Sequence, residues 1–504
     1  MSSDDLIQWF KSIGGSVDTS SMGFEEFPGC GRGAIALKDI PQGHILFTIP
    51  RDLTLSMRTS SLPSRFGREA WKKFRLDEGW TGLILCMMWE EAQGNTSKWS
   101  TYLSSLPSAF DTPMFWSDED LKELSGTSVV DKIGKEEAEA DYREKVAPAI
   151  KSRPDLFPEG AYQHHCSLER YHIMGSRILS RSFCVEPWSG EEEHDGAAAD
   201  GGADADAMDV DSADQNVTDL VDDVEAQADD TLDVGSDDEA DEDSEDSTNV
   251  AMVPMADMLN ARYGSENAKL YYEPIDLRMI TTKFIKTGEQ IWNTYGDPPN
   301  SELLRRYGHV DLVPMPESFG GLGNPADIVE IPGDLAVAAA TDDKSASLAE
   351  RVNWWLENAD DDTFVIASGS GLPEDLLSFV RLLLMTSDEW EKANRKGKLP
   401  KAKVDLNVLD IIEKTLTKRM QKYPSTLEED EKLLDPANGH SLSLHKKHAI
   451  IVRVGEQRIL RGAIEQTRAT KEAMKLASSS GKGNKRTREA TGSDSHGRAK
   501  KSKR

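Results

Sequence analysis

The sequence is poor in cysteine. Four occur in 504 residues, at Cys30, Cys86, Cys166 and Cys184, and none lies in a C-x-x-C pair. That spacing argues against a structural zinc, and the low density argues against a disulfide framework. A reducing compartment fits. Long apolar runs are also missing. The longest, LILCMMW at Leu83 to Trp89, is far shorter than the roughly 20 residues needed to span a bilayer. The N-terminus, MSSDDLIQWF, has neither a basic n-region nor a cleavage site, so no secretory signal is expected. No internal repeat is visible. These absences point to a soluble intracellular protein with no membrane partner.

Charge of one sign is missing in two places. Glu186 to Val250 holds 26 Asp or Glu and no Lys or Arg, while Lys482 to Arg504 holds nine Lys or Arg against two acids. The formal charge of −30 is therefore concentrated, and the remainder carries only −11. The acidic block is rich in Asp, Ala, Gly and Ser and nearly free of aromatics. It cannot bury enough apolar surface to offset its ordering entropy, so it reads as a disordered insertion within a domain. It either attracts a basic partner or serves as a solvated spacer. In the tail, Lys485-Arg486 is followed by an eleven-residue spacer and RAKKSKR. This fits a bipartite nuclear localisation signal read by an import receptor, with a generic basic tail as the alternative.

Between these segments the pattern changes twice. GRGAIALKDIPQGHILFTIP, and later KLYYE, LRMITTKFI and EQIWNTYG, read as short strands and turns. Trp80 to Ala92 reads as a helix apolar on all sides and hence buried, with further helical character at Ser117 to Ala149 and Ser167 to Leu179. Beyond about Pro314, apolar residues recur at three- and four-residue spacing, which predicts a second, all-helical domain.

Three separated segments carry the chemistry. GCGRGAIALKDIPQGHILFTIP has Gly31 and Gly33, which let a ligand approach the backbone; read alone it is equally a Gly-rich turn. VPMADMLNARYGSENAKLYYE has an Asp-x-x-Asn, and GEQIWNTYGDPPNSELLRRYGHV has Asn-Thr-Tyr-Gly followed by Arg-Arg-Tyr-Gly. In this order the chain resembles the SET-domain protein-lysine methyltransferases, in particular the class typified by the Rubisco large-subunit methyltransferase. KWSTYLSSLP, PMFW, RILSRSF and RVGEQRILRGAI extend the likeness. MADMLNA, NAKLYYE and PNSELLRRYG resemble the fungal ribosomal lysine methyltransferases within that class.

The resemblance implies an α+β fold. A SET domain would span residues 1–314, with a helical insert at about 57–180 and the disordered acidic loop at 186–250. An all-helical substrate-binding domain would follow at 315–477, and a disordered basic tail at 478–504. It implies S-adenosylmethionine as cofactor, held by Arg32, Gly33, Ala34, Arg181, Asn260, Ala261 and Tyr295. Tyr295 would be catalytic, and Trp99, Ser182 and Cys184 would line the substrate lysine. Tyr307 would pack beside the cofactor or the lysine channel.

The residues are compatible with this. A lysine methyltransferase must aim an electrophilic methyl at a neutral, desolvated amine and needs little covalent chemistry. A Tyr hydroxyl suits the orienting role, with a satisfied core Tyr as the alternative. Asn260 offers a donor and an acceptor to a zwitterion. Arg181 offers a cation to a carboxylate, or is an ordinary surface Arg. Trp99 is read more simply as a core aromatic. Asp257 reads as orienting the turn before Asn260. Ala261 stands where the family usually has His; backbone groups there serve a ligand whatever the side chain, so it bears on cofactor affinity more than on chemistry. His164 to Cys166 has two adjacent His and a Cys but no second cluster, and no metal is expected.

The implied substrate is a basic protein, a 60S ribosomal protein above all, modified in the nucleus, with no nucleic acid required. A histone or transcription factor is the alternative substrate. A non-catalytic acidic binder of basic proteins is the alternative of a different class.

Overall fold

Short alternations of apolar and polar residues, broken by Gly, Pro and Asp, can form only short strands, and the first part of the chain is built from them. The computed structural model describes residues 2–27, 31–158, 160, 164–187, 247–316, 320–340, 345–359 and 361–483. Cys30, most of the expected acidic insertion (188–246) and the expected localisation signal (from 484) lie outside the described residues. The architecture is α+β. It forms two compact units, residues 1–327 with 436–452 and residues 328–435 with 453–504.

The first unit holds strands β1 (Ser16–Val17), β2 (Met22–Phe27), β3 (Gly31–Ala36), β4 (Ile45–Pro50), β5 (Ser182–Cys184), β6 (Val250–Met252), β7 (Ala268–Tyr272), β8 (Asp276–Thr281), β9 (Gln290–Ile291), β10 (Val313–Pro314) and β11 (Leu322–Gly323). All named pairs are antiparallel: a sheet in the order β1-β4-β8-β7, a sheet β2-β3-β9, and the ribbons β5-β6 and β10-β11. Leu277 and Met279 alternate inward along β8 and meet Phe47 and Ile49 of β4 and Leu6 and Phe10 of the helix Ser3–Ser12. That helix starts at a reciprocal cap, with Ser2 and Asp5 each accepting the other's backbone N–H.

Between β4 and β5 the chain forms the helical insert, which has its own core. At its centre the helix Thr81–Ala92 buries ten of its twelve residues, as its all-round apolarity requires. Glu90 is buried within it and accepts hydrogen bonds from Ser60 (2.9 Å) and Ser97 (2.7 Å), which make its burial tolerable. Residues 436–452 join this unit. His445 stacks on Trp116 at 4.4 Å, and Ala449 and Val452 pack with Trp116, Leu124, Val129 and Leu304.

The second unit is mainly helical, but it also contains a two-stranded ribbon, β12 (Ile328–Pro332) with β13 (Thr363–Ala367). The expectation of an all-helical domain is corrected in this respect. Val329, Ile331, Phe364 and Ile366 alternate inward, a period-two pattern only five residues long and easily lost among helices. The unit therefore starts at Ile328 rather than 315 and lacks residues 436–452. The last helix runs through Gly483, so Ser478 to Gly483, expected as tail, are helical.

Two ion pairs are buried in this unit. Arg453 grips Asp430 through Nε (2.9 Å) and Nη2 (2.7 Å), with at most 2% of either side chain exposed. Arg419 reaches Glu456 at 3.0 Å, and Tyr423 donates to the same carboxylate. Within the motif RVGEQRILRGAI, Arg453 and Glu456 are thus buried with fixed partners. We expect Asp430→Ala to destabilise the protein by about 3–5 kcal/mol by stranding the Arg453 guanidinium. Chemical denaturation followed by tryptophan fluorescence would measure this; a change under 1 kcal/mol would contradict it.

Candidate active site

The site begins at an interrupted ladder. In β3, β9 pairs only with Ala34 and Ile35, so the same edge at Arg32 and Gly33 is left to other groups. Two side-chain amides fill that space. A Cβ on Gly33 would lie 2.5 Å from both Asn260 Nδ2 and Gln290 Nε2, so any side chain there would displace both amides. Both nitrogens are buried and lack a hydrogen-bond partner. Ala34 follows with its methyl in the core and its backbone paired with Phe24 and Ile291. Arg32 donates to the Ser105 carbonyl at 3.2 Å.

Asn260 is placed by its main chain. The turn Ala256–Met258 precedes it, entered through Met255 at φ 77°, a conformation that costs free energy for a residue with a side chain. The Asn260 carbonyl accepts from the Asn293 N–H at 2.9 Å, and Ala261 bridges to Asn293 in parallel. Two residues beyond Asn293, Tyr295 is brought back beside this turn, its hydroxyl 3.5 Å from the Leu259 carbonyl. Its ring stacks on Tyr307 at 4.3 Å and 7°. Burial, with Tyr295 next, raises the Tyr307 hydroxyl above its ordinary range, so it stays protonated. A small hollow lies between Ala261 and Tyr295.

The helix Leu168–Arg181 delivers the cation. Arg181 donates to the Asp257 carbonyl at 2.6 Å, and its Nε is buried without a partner. The Asp257 side chain has no exposure; Tyr102 donates to it at 2.9 Å and Arg181 stands 3.9 Å away. Burial pushes the Asp257 carboxyl up to about 6, against the pull of Arg181 and Tyr102. Chain direction then changes at Ser182, where β5 starts. Ser182 and Cys184 share one face of β5, while Phe183 packs into the sheet core.

The structure thus gathers Arg32, Gly33, Asn260, Ala261 and Tyr295 around the β3 edge and the Asn turn, with Arg181 tied to that turn through Asp257. Trp99 stands apart. It is 2% exposed within the helical-insert core, and its indole N–H is bonded to the Leu53 carbonyl at 2.8 Å. His165 faces Glu91 at 3.5 Å, and Cys166 is buried. Among the described residues no three His, Cys, Asp or Glu converge as metal ligands. Two residues went unnoticed in the sequence. Tyr102 acts across 155 positions on Asp257, and its only signal was its place in KWSTYLSSLP. Gln290 stands in GEQIWNTYG and looked like an ordinary strand residue.

Unpartnered buried donors beside a glycine suit the charged end of a zwitterionic ligand, and a tyrosine hydroxyl beside them suits an amine. The residues present therefore fit S-adenosylmethionine.

Comparisons with known proteins agree. The family of Rubisco LSMT substrate-binding domains matches residues 342–460. Ribosomal lysine N-methyltransferase 4 of Saccharomyces cerevisiae is 30% identical over 293 residues, which take in 58% of this chain and about half (51%) of the yeast protein. N-lysine methyltransferase SETD6 of Homo sapiens is 26% identical over 87% of this chain and 84% of its own length. A crystal structure of the SET domain of LSMT bound to lysine and AdoHcy superposes with a TM-score of 0.63 at 18% identity, covering 93% of this chain and 91% of the other. Rubisco LSMT bound to AdoMet gives 0.61, also at 18%, with 94% and 93% covered. With the site built as described, these likenesses support a SET-domain protein-lysine methyltransferase of the Rubisco large-subunit methyltransferase-like class, with S-adenosylmethionine as cofactor.

Proposed function

We propose that this protein methylates a lysine of a basic protein in the nucleus, foremost a protein of the 60S ribosomal subunit. The observation that carries the reading is the convergence of Gly33, Asn260 and Tyr295, from three distant segments, on one edge of β3. When bound, S-adenosylmethionine supplies a sulfonium methyl for in-line transfer to nitrogen. Arg181 and Asn260 hold the charged end of that donor through nitrogens that are otherwise unpartnered. The Tyr295 hydroxyl accepts or donates a hydrogen bond to the amine and sets its direction, while the stack on Tyr307 fixes the ring. Ser182 and Cys184 face the incoming lysine from β5. The amine arrives neutral, its proton left to solvent.

The ribosomal substrate is supported by the yeast relative's name and by the acidity of this chain, which suits a basic partner. The vertebrate relatives match a larger share of this chain and their names specify no substrate, so a histone or transcription factor stands as the second reading. Nuclear import would proceed through the basic tail and an import receptor.

With labelled S-adenosylmethionine and ribosomal proteins from a strain lacking the enzyme, label should enter one small basic protein. Tyr295→Phe should lower that rate by about a hundredfold with donor affinity retained. Labelling of histones alone would select the second reading, and no labelling of either would sink the enzymatic one. Gly33→Ala should displace the Asn260 and Gln290 amides and weaken donor binding roughly tenfold or more in calorimetry, with unchanged circular dichroism; unaltered binding would refute the placement of the donor. Asp257 gives a pH prediction. Its pKa in the fold lies above the unfolded value, so its contribution to stability is full below about pH 4 and lost as pH rises through about 6. Asp257→Asn should therefore gain melting temperature relative to wild type between pH 5 and pH 7.5. A gap that does not change with pH would show that the carboxyl is not raised.

A further inference from the structure

A cavity of about 450 Å³ opens in the helical insert of the first unit, and none of the site residues above lines it. Its volume lies in the range of ligand sites. Its walls combine aromatic rings (Trp80, Tyr171) with aliphatic groups such as Met114 and Leu179. Such walls accept the long stem of a lysine or arginine side chain.

Its polar groups suit the head of the same side chain. Asp131 and Glu137 line the cavity at exposed positions and have no ion-pair partner among the described residues. Asp141, less exposed, is approached by Lys145 at 3.0 Å and Thr81 at 3.5 Å. Two cations also line the cavity. Arg305 is already bonded to Glu302 at 2.7 and 2.9 Å, and Lys132 stands beside Asp131 in the chain. Among the buried lining groups, Tyr171 is pushed up to about 12 by burial and so stays protonated. His172 is lowered by burial, and its Nε2 is buried with no hydrogen-bond partner, the nearest carboxylate, Glu139, being 3.9 Å away. A neutral imidazole nitrogen in that state is an unused acceptor.

The cavity also lies along the two helices that end at the candidate site. Leu179 precedes Arg181 by two residues, and Arg305 precedes Tyr307 by two. Both helices therefore run from the cavity wall to the candidate site.

We infer that the cavity is a recognition subsite for a cationic side chain, lysine or arginine, that flanks the methylated lysine in the substrate protein. This rests on the function proposed above and adds a specificity to it. A cation is drawn in past Asp131 and Glu137, its stem is covered by Trp80 and Tyr171, and its head meets Asp141 and His172.

The test uses the full chain and two variants. Asp131→Asn with Glu137→Gln removes charge at exposed positions and should not disturb folding. Gly175→Leu fills the space; a Cβ there meets only Ile84 Cδ1 at 3.6 Å, so a longer side chain extends into the cavity. Binding of Nα-acetyl-arginine amide is followed by saturation-transfer NMR, with Nα-acetyl-glutamine amide as the neutral control. The arginine probe should bind the wild type, lose roughly tenfold in affinity in the charge variant and fail to bind the filled one. In methyl transfer to ribosomal proteins, KM should rise by a similar factor while kcat and donor affinity hold. Equal binding of the arginine probe by wild type and both variants, or equal binding of the neutral probe, overturns the subsite. Variant-sensitive arginine binding without any methyl transfer by the wild type would overturn the enzymatic reading instead.

Discussion

The candidate site depends on one buried carboxylate. Asp257 has no solvent contact at its side chain, so it must be neutralised or surrounded by donors. The groups that do so come from separate parts of the chain: Tyr102 from the start of the helical insert, Arg181 from its last helix, and Arg32 through its charge from β3. Satisfying Asp257 therefore brings the insert, the glycine strand and the Asn turn to one place. Even so the carboxyl remains raised, which means burial still outweighs the cations. The site holds an incompletely compensated charge and, beside it, an Arg181 Nε and an Asn260 Nδ2 without partners. Unsatisfied groups of this kind cost free energy in the empty protein and favour a ligand able to pair with them.

The second unit treats buried charge differently. Asp430 is met by a bidentate guanidinium and by the Ser425 hydroxyl, and Glu456 by Arg419 and the Tyr423 hydroxyl. The planar fork of arginine matches a carboxylate in a way lysine cannot, which accounts for arginine in the RVGEQRILRGAI segment. With their bonds made, these groups hold helices in register and leave little for a ligand. The contrast with Asp257 separates structural polar burial from polar burial that serves a site.

What was legible in the sequence follows the range of each constraint. Gly33, Asn260 and Tyr295 could be read because each stands in a short local motif: a Gly-rich turn and strand, an Asp-x-x-Asn, and an Asn-Thr-Tyr-Gly. The buried helix Thr81–Ala92 was legible from its uniform apolarity, and the start of the helix after Ser167 from its cap, where Ser167 accepts from the Arg170 N–H. Tyr102 and Gln290 were not legible because the groups they meet, Asp257 and Gly33, lie far along the chain. Trp99, placed at the lysine channel by resemblance, is buried in the insert core, and Tyr102, three residues on, reaches Asp257 from the same helix end. The ribbon β12–β13 was missed because five-residue alternation carries little weight beside long helical periods, and the return of residues 436–452 to the first unit has no local signature at all.

Ala261 shows how little a site need depend on one side chain. Its contribution to the fold is made by the main chain: the bridge to Asn293, and beside it the Asn260 carbonyl bonded to the Asn293 N–H. Those bonds align the Asn turn with the strand end that leads to Tyr295, and any residue can make them. The hollow beside Ala261 and Tyr295 measures only about 10 Å³. The position thus contributes through its main chain, while Asn260 and Tyr295 are held by bonds and stacking in which the Ala261 side chain takes no part.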